Sequence, residues 1–253
     1  MLIKSINSIK KHNKNVKFFI FNNNRTYWKN DKKIDTEEME YRKEDINEIA
    51  DKCDIRNSLA IVNISSLMFI FDDSPKLKNQ TNTYTRLLIP FFLKRFGSDI
   101  NRFLYCDEDV LCSGDLTKLY NIDFNNAFAG FRNTSINEKF AKFHPSRNHI
   151  NNGILMMKTT FNIFDNVKLI NAINIASILE MYPLHDQFIV NLYGVDEIEL
   201  PHMPISKDYM TNAHIRQIYS MKLYNIFHTD DFKNNEEIIK KVHEELIKKY
   251  RIK

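Results

Sequence analysis

The chain has 253 residues, of which 43% are hydrophobic and 12% are aromatic, with 36 basic and 32 acidic residues. This composition excludes a disordered chain, and a net charge of +4 without a stripe of basic and aromatic residues does not favour nucleic-acid binding. The three cysteines are expected to be free thiols, and no apolar run is long enough for a membrane span or typical of a signal peptide. We therefore expect a cytoplasmic protein.

Helices and strands are predicted to alternate in the first part of the chain. The spacing of Leu2, Ile6 and Ile9 predicts an amphipathic helix over residues 1–13. Short apolar runs predict buried strands, and longer periodic segments predict helices. These are a strand at 16–21, a helix at 43–53, a strand at 58–64 and a helix at 83–96, which should bend at Pro90.

The same alternation continues to the end of the sequence. Strands are predicted at 102–106, 127–131 and 153–158, and helices at 165–181, 185–193 and 235–250. The polar stretch at 132–149 is long for a loop, which is typical of a functional lid. Buried strands alternating with helices predict a single α/β domain over residues 1–253, with a Rossmann-like, mixed but mainly parallel sheet flanked by helices. Residues 235–253 would add a helix and a basic tail.

The sequence YCDEDVLCSGDL, at residues 105–116, carries the strongest chemical signal. An apolar strand ends in Asp107 and Asp109, and residues two apart in an extended chain point to the same side. The two carboxylates would then lie together at the carboxyl end of a sheet strand, where open α/β sheets bind ligands. Oxygen ligands of this kind suit Mg²⁺ or Mn²⁺, which can neutralise a departing diphosphate. A solvated acidic turn is the alternative interpretation.

This motif and its neighbours resemble the signature of glycosyltransferase family 8, whose members are retaining enzymes with a GT-A fold. The family pattern is a strand, Asp-x-Asp, a few apolar residues and then Gly-Asp-Leu. Further segments on both sides of the motif resemble the family and occur in its order over residues 80–230. They are TYTRLLIP at 83–90, INNGIL at 150–155, His185-Asp186-Gln187, Leu200-Pro201 and His228. The ordered set is more specific than any single segment.

The resemblance implies transfer of a hexose from a UDP-sugar to a hydroxyl of a carbohydrate or glycoconjugate acceptor. Asp107, Asp109 and His228 would hold Mn²⁺ or Mg²⁺ between the two phosphates of the donor. Further donor-binding residues would be Arg86, Asn152 and Lys233, while the catalytic residues would be Gln187 near the anomeric carbon, Asp186 and Asn151. Contact with a membrane would be peripheral at most.

Three of these residues also have ordinary structural interpretations. Arg86 could form an ion pair on a helix surface, Asp186 could cap a helix, and Lys233 could be a solvated lysine. The family normally begins with a strand and an acidic turn that hold the uracil and ribose, whereas this sequence opens on what resembles the helix that follows them. Either the true start lies upstream, or the base is held differently, or activity is lost. The segment HTDDFK at 228–233 also departs from the family's Gly and Lys-Pro-Trp-like run.

Two other functions are compatible with the residues. FLYCDEDVLCSG, at 103–114, also fits a phosphatase of the haloacid dehalogenase type, with Asp107 as nucleophile and Asp109 as acid/base, although Val110 stands where Thr is expected. A degenerate transferase fold that binds a glycan or a partner without catalysis is the third function. Metal-dependent affinity for UDP would distinguish a transferase from both.

Overall fold

The computed structural model describes residues 2–22, 27–29, 32–34, 43–63, 84–95, 99–132, 150–166, 171, 190–191, 195–198 and 223–228. The helices are α1 (Leu2–His12), α2 (Lys43–Lys52), α3 (Ile89–Arg95) and α4 (Thr117–Tyr120), with short 3-10 helices at Arg56–Ser58, Thr85–Leu87 and Ile163–Asp165. The strands are β1 (Phe18–Asn22), β2 (Tyr27–Lys29), β3 (Lys32–Ile34), β4 (Leu59–Asn63), β5 (Arg102–Cys106), β6 (Val110–Cys112), β7 (Phe128–Arg132), β8 (Ile150–Lys158), β9 (Val195–Glu197) and β10 (Ile226–His228).

The chain divides into two compact units. The first unit comprises residues 1–14, 104–157 and 194–253, and the second comprises residues 15–103 and 158–193. The single domain over 1–253 stays a prediction. The helices predicted at 165–181, 185–193 and 235–250 and the loop at 132–149 lie almost entirely outside the described residues. Within the described ranges, no helix combines the length and the apolarity needed to cross a membrane.

The first unit is built around a four-stranded sheet with the order β5-β8-β7-β9. Strand β7 runs antiparallel to β8 and parallel to β9, and a separate antiparallel pair joins β6 to β10. Strand β8 is buried along nearly its whole length, and its apolar segment 154–157 lies in the core with Phe128 and Phe131. Helix α1 adds Ile6 and Ile9 to the buried set and keeps its lysines exposed, as the predicted amphipathic pattern requires.

The second unit contains a parallel pair, β1 with β4, in which Phe18 lies opposite Leu59 and Asn22 opposite Asn63. Strands β2 and β3 form an antiparallel pair that the sequence analysis did not predict. Apolar side chains of the 3-10 helix at Thr85–Leu87 and of α3 are buried. The ring of Phe91 packs edge-on against Phe164, with ring centroids 4.7 Å apart.

One prediction needs correction. The helix predicted over 83–96 is divided, because a 3-10 helix at Thr85–Leu87 precedes α3, which begins at Ile89. Pro90 therefore lies in the first turn of α3, where its missing N–H costs no hydrogen bond, and it does not bend a continuous helix. The strand pairing is mixed, as predicted. Among the described strands, β1 with β4 and β7 with β9 are parallel, whereas β6 with β10, β2 with β3 and β7 with β8 are antiparallel.

Candidate functional site

The acidic motif forms a turn at the end of β5. The backbone N–H of Asp107 donates to the carbonyl of Gly153 on β8 at 2.8 Å, and the N–H of Val110 donates to the carbonyl of Asp107 at 3.2 Å. We call residues 107–110 the acidic turn. Since this segment is not extended, the prediction that Asp107 and Asp109 share one face of a straight strand is wrong for the backbone.

A tyrosine orients the first carboxylate of the acidic turn. The hydroxyl of Tyr105 donates to Asp107 Oδ1 at 2.7 Å. Tyr105 lies two residues before Asp107 at the end of β5, so the alternation of the strand sends both side chains to the same side. A charge-assisted hydrogen bond of this length fixes the rotation of the carboxylate. Sequence analysis did not assign a role to Tyr105, although the spacing of two was the available signal.

Strand pairing brings His228 to the second carboxylate. In the antiparallel pair of β6 and β10, His228 lies opposite Val110, the residue that follows Asp109. His228 Nδ1 is 3.1 Å from Asp109 Oδ1, with the His228 side chain 12% exposed and the Asp109 side chain 36% exposed. When Asp109 is ionised it can only accept, so Nδ1 carries the proton of this hydrogen bond.

The other ring nitrogen of His228 is buried, and it has no hydrogen-bond partner among the described residues. It lies close to Gly153 on β8, because a Cβ atom built on Gly153 would be 2.6 Å from His228 Nε2 and 2.8 Å from Asp107 Oδ2. Both distances are measured from the same Cβ position, so their sum is the largest possible separation between His228 Nε2 and Asp107 Oδ2. Asp107, Asp109 and His228, three of the predicted site residues, thus lie in one neighbourhood within the first unit.

The predicted three-residue metal site is not formed as a compact cluster. The described residues contain no group of three or more His, Cys, Asp and Glu side chains placed to hold a metal ion. The chemistry of the donors nevertheless fits a divalent cation, because carboxylate oxygens suit Mn²⁺ and Mg²⁺ and a buried imidazole nitrogen with no hydrogen-bond partner is an available ligand. The residues present therefore fit the ion that the family resemblance implies.

Residues Cys112–Leu116, which we call the 112–116 segment, follow the acidic turn and are bonded to α1. The N–H of Leu116 donates to Asn13 Oδ1 at 2.8 Å, and Asn13 Nδ2 lies 3.3 Å from the carbonyl of Gly114. The N–H of Cys112 donates to Ser8 Oγ at 2.9 Å. Side chains of α1 and of Asn13, the residue that follows it, thereby satisfy backbone groups of this segment.

The entry to β10 is tied to the same segment. Asn225 has a left-handed backbone, with φ of 60°, which asparagine tolerates better than most residues. Its carbonyl accepts from the N–H of Ser113 at 2.9 Å, and its side-chain Nδ2 donates to the carbonyl of Asp115 at 2.9 Å. These bonds fix the position at which β10 begins, three residues before His228.

The cysteines beside the acidic turn are free thiols, as predicted. Desolvation of the thiol, followed by the charge of Asp107, raises the pKa of Cys106, although the residue as a whole is only partly buried. Desolvation also raises the pKa of Cys112, and hydrogen bonds with Gly114 and Asn13 oppose that shift. Neither thiol is therefore activated as a nucleophile at neutral pH.

The other predicted site residues have mixed outcomes. Asn151 lies on β8, and its Oδ1 accepts from the N–H of Gly153 at 2.7 Å, while Asn152 is buried. Arg86 lies in the second unit and is only 8% exposed, so the surface position that the alternative interpretation gave it is wrong. The predictions for Asp186, Gln187 and Lys233 fall outside the described residues.

Comparisons with solved structures identify the fold. The chain is similar to the galactosyltransferase LgtC in complex with donor and acceptor sugar analogues, with a TM-score of 0.61 and 17% identity, over 90% of this chain and 81% of that chain. An LgtC variant with an active-site glutamine replaced by glutamate gives a TM-score of 0.56 and 14% identity, over 84% of this chain and 78% of that one. These similarities support an α/β fold of the GT-A type, with strands and helices arranged as in glycosyltransferases.

A third similar structure is the glycosyltransferase GlyE of Streptococcus pneumoniae TIGR4, with a TM-score of 0.53 and 19% identity. The match covers 90% of this chain and 51% of GlyE, so this chain spans about half the length of that protein. The search of curated proteins gave no significant match. Residues 1–216 match the family model described as Glycosyl transferase family 8. Because that match covers most of the sequence, the chain belongs to glycosyltransferase family 8 and is a glycosyltransferase.

Proposed function

We propose that this glycosyltransferase moves a hexose from a UDP-sugar to an acceptor hydroxyl, with a divalent cation and with retention at the anomeric carbon. The observation that carries the proposal is the convergence of Asp107 Oδ2 and the buried His228 Nε2 beside Gly153. One structure of LgtC is a complex with donor and acceptor sugar analogues, which supports a nucleotide-sugar donor and a carbohydrate acceptor for a member of the same family. A cytoplasmic location stays a prediction from the sequence.

Asp107, Asp109 and His228 are the residues that we propose to hold Mn²⁺ or Mg²⁺. Asp107 would offer Oδ2, the oxygen that lies beside Gly153 near the imidazole, and His228 would offer Nε2. Asp109 already accepts at Oδ1 from His228, and its second oxygen lies on a side chain that is 36% exposed. Such a cation would neutralise charge on a departing diphosphate.

The hydrogen bond between Asp109 and His228 gives the imidazole a defined form for this role. With the proton held on Nδ1, the lone pair of the neutral ring is on Nε2, the nitrogen that faces Asp107. A carboxylate that fixes the tautomer of a ligating histidine is common in metal sites and improves the affinity of the site. Asp109 therefore contributes through His228 as well as by its charge.

The remaining residues are proposed from the sequence pattern. Asn151 and Asn152, on β8, would form hydrogen bonds with donor or acceptor hydroxyls. Arg86 would bind the donor through its planar guanidinium, and Lys233 would contact the diphosphate. Asp186 would bind sugar hydroxyls and Gln187 would lie near the anomeric carbon; the active-site glutamine of LgtC supports the second assignment.

We propose attack on the same face of the sugar through an oxocarbenium-like transition state. Double displacement requires a carboxylate as nucleophile, and the carboxamide of Gln187 does not serve as one. The chain's own part is to hold the diphosphate, to orient the acceptor hydroxyl and to stabilise developing negative charge on the departing UDP. Family membership gives no support to the phosphatase alternative.

The proposal is tested by the melting temperature of the protein with UDP-, GDP- and CMP-sugars, each with and without Mn²⁺. A ligand at about 100 times its Kd stabilises the folded state by about 2.7 kcal/mol, so a clear shift is expected with Mn²⁺ and a UDP compound together. A shift that does not need the metal, or that GDP- and CMP-sugars give equally, would contradict the proposal. Binding of UDP-sugar without any transfer or release of UDP would instead support the degenerate binding protein.

A further inference from the structure

We infer that Gly153 is a positioning residue of the proposed cation site, because only a residue without a side chain lets the Asp107 carboxylate and the His228 imidazole meet over β8. The inference rests on the proposed function. The resemblance to the family placed Gly153 in a motif but gave it no role, and the two asparagines before it received the assignments.

The evidence begins with the space around Gly153. A Cβ atom there would lie 2.3 Å from His228 Cε1, 2.6 Å from His228 Nε2 and 2.8 Å from Asp107 Oδ2. Carbon atoms in contact are ordinarily about 3.5–4.0 Å apart, so a methyl group would force the ring, the carboxylate or both to move. The volume in which the two polar atoms converge is thus the volume that an alanine would fill.

The backbone of Gly153 does not itself demand glycine. Gly153 lies inside β8, where its carbonyl accepts from the N–H of Asp107 and its N–H donates to Asn151 Oδ1, and its φ lies outside the left-handed region. An alanine can adopt this extended backbone without the strain of a left-handed conformation. The requirement for glycine therefore comes from His228 and Asp107, which are the proposed ligands.

His228 has little freedom to move away from an added methyl group. Its Nδ1 is bonded to Asp109, and its strand is held in register opposite β6. Asp107 is held by Tyr105 through Oδ1 and by its backbone bond to Gly153. A methyl group at position 153 would thus disturb the relative placement of Nε2 and Oδ2 and leave the rest of the sheet in place.

Gly130 provides a matched control within the same unit. A Cβ atom at Gly130 would lie 2.3 Å from Ile150 Cγ2 and 2.8 Å from Leu155 Cδ2, so Gly130→Ala crowds the sheet by a similar amount among apolar side chains. Neither Asp107 nor His228 is among the atoms that this methyl group would meet. The control therefore reports overpacking without disturbance of the proposed ligands.

The first experiment measures binding of Mn²⁺ alone, without a sugar donor, by electron paramagnetic resonance of the free ion. Gly153→Ala should weaken Mn²⁺ binding by about 10-fold or more, as loss of a supporting residue does in other metal sites, whereas Gly130→Ala should keep the wild-type affinity. Wild-type affinity in Gly153→Ala would overturn the inference and leave the proposed function intact. If the wild-type protein binds no Mn²⁺, the metal-dependent function and the inference both fail.

The second experiment measures coupling between positions 153 and 228 through the melting temperature. Gly153→Ala should lower the melting temperature of the wild-type protein clearly more than it lowers that of His228→Ala, because the imidazole that the methyl group meets is absent from the second protein. Gly130→Ala should cost the same in both backgrounds. Equal losses from Gly153→Ala in the two backgrounds would show that position 153 does not act through His228, and would overturn the inference even if the affinity falls.

Discussion

The acidic turn and the 112–116 segment follow one another in the chain but differ in how their polar groups are satisfied. In the 112–116 segment, backbone groups of Cys112, Ser113 and Leu116 donate to Ser8, Asn225 and Asn13. In the acidic turn and its surroundings, His228 Nε2 is buried without a hydrogen-bond partner among the described residues, and Asp109 remains partly exposed. One region therefore uses its polar groups for stability, and the other keeps polar atoms available.

This difference agrees with the cation site that we propose at the acidic turn. A buried polar atom without a partner costs about 1–3 kcal/mol, and such groups in folded proteins need an explanation. The well-bonded 112–116 segment lies immediately beside the acidic turn and fixes the start of β10, which carries His228. We interpret the segment as the rigid support and the acidic turn as the region that it supports.

The largest expected effect is on the acidic turn itself. Asp107→Asn should lower Mn²⁺-dependent release of UDP from a UDP-sugar by at least about 100-fold, because a bound metal supplies several kcal/mol of charge stabilisation. The melting temperature should change little, since asparagine keeps the size of the side chain and an oxygen for Tyr105. The control is Asp123→Asn, which removes an exposed carboxylate from the same unit. Unchanged release of UDP in Asp107→Asn would show that the acidic turn does not hold a catalytic metal.

Removal of the tyrosine hydroxyl should have a smaller effect in the same region. Tyr105→Phe deletes the donor to Asp107 Oδ1 and should weaken Mn²⁺ affinity by about 10- to 100-fold, the usual range for residues that orient a metal ligand. Calorimetric titration of Mn²⁺ measures the affinity. Tyr120→Phe is the control because Tyr120 is 45% exposed. If both variants keep the wild-type affinity, Tyr105 has only a packing role.

The 112–116 segment should respond in stability rather than in affinity. Asn13→Ala removes the acceptor of the Leu116 N–H and the donor to the Gly114 carbonyl, which should cost about 1–3 kcal/mol of unfolding free energy. Urea denaturation measures this loss, with Asn7→Ala on the exposed face of α1 as control. Mn²⁺ affinity at a temperature where the variant is folded should stay within a few-fold of the wild-type value. A large loss of affinity without loss of stability would reverse the assignment of roles.

Sequence patterns predicted the local parts of this architecture and missed most of its long-range contacts. The strands at 16–21, 58–64 and 102–106 were predictable because their apolar residues are consecutive, and α1 because its apolar residues are periodic. Asp107 and Asp109 were named from the Asp-x-Asp pattern after an apolar strand and His228 through the family resemblance, and the structure brings the three into one neighbourhood. Residue patterns alone could not pair Asp109 with a histidine 119 positions away.

The roles of Asn13 and Gly153 were not predictable for the same physical reason. Asn13 acts on Leu116, 103 positions away, and asparagine at the end of a helix has many ordinary explanations. The role proposed for Gly153 depends on the atoms that a side chain there would meet, and His228, 75 positions later in the chain, supplies two of them. Periodicity reports which face of an element is buried, but it does not report which distant side chain occupies that face.

The smallest expected effect sharpens the view of the 112–116 segment as a structural support. Hydrogen bonds from the Thr117 side chain and backbone lower the pKa of Asp115, and its Oδ1 accepts the Thr117 N–H at 2.6 Å. A carboxyl group whose pKa is lower in the folded state stabilises the fold above its unfolded pKa, and that contribution is lost as the pH falls through the folded pKa. The wild-type melting temperature should therefore fall slightly more than that of Asp115→Asn when the pH is lowered from 5 to below the ordinary aspartate pKa of about 3.9.

Asp115 is exposed, and the surrounding water screens its charge. The difference between the melting temperatures of the two proteins should therefore be small at each pH and should shrink further in high salt. Above pH 5 the two melting curves should run parallel, because the carboxyl is ionised in both the folded and the unfolded chain. A difference of the opposite sign below pH 5 would mean that ionised Asp115 destabilises its turn. The hydrogen bonds of the 112–116 segment would then include an electrostatic cost that its geometry does not reveal.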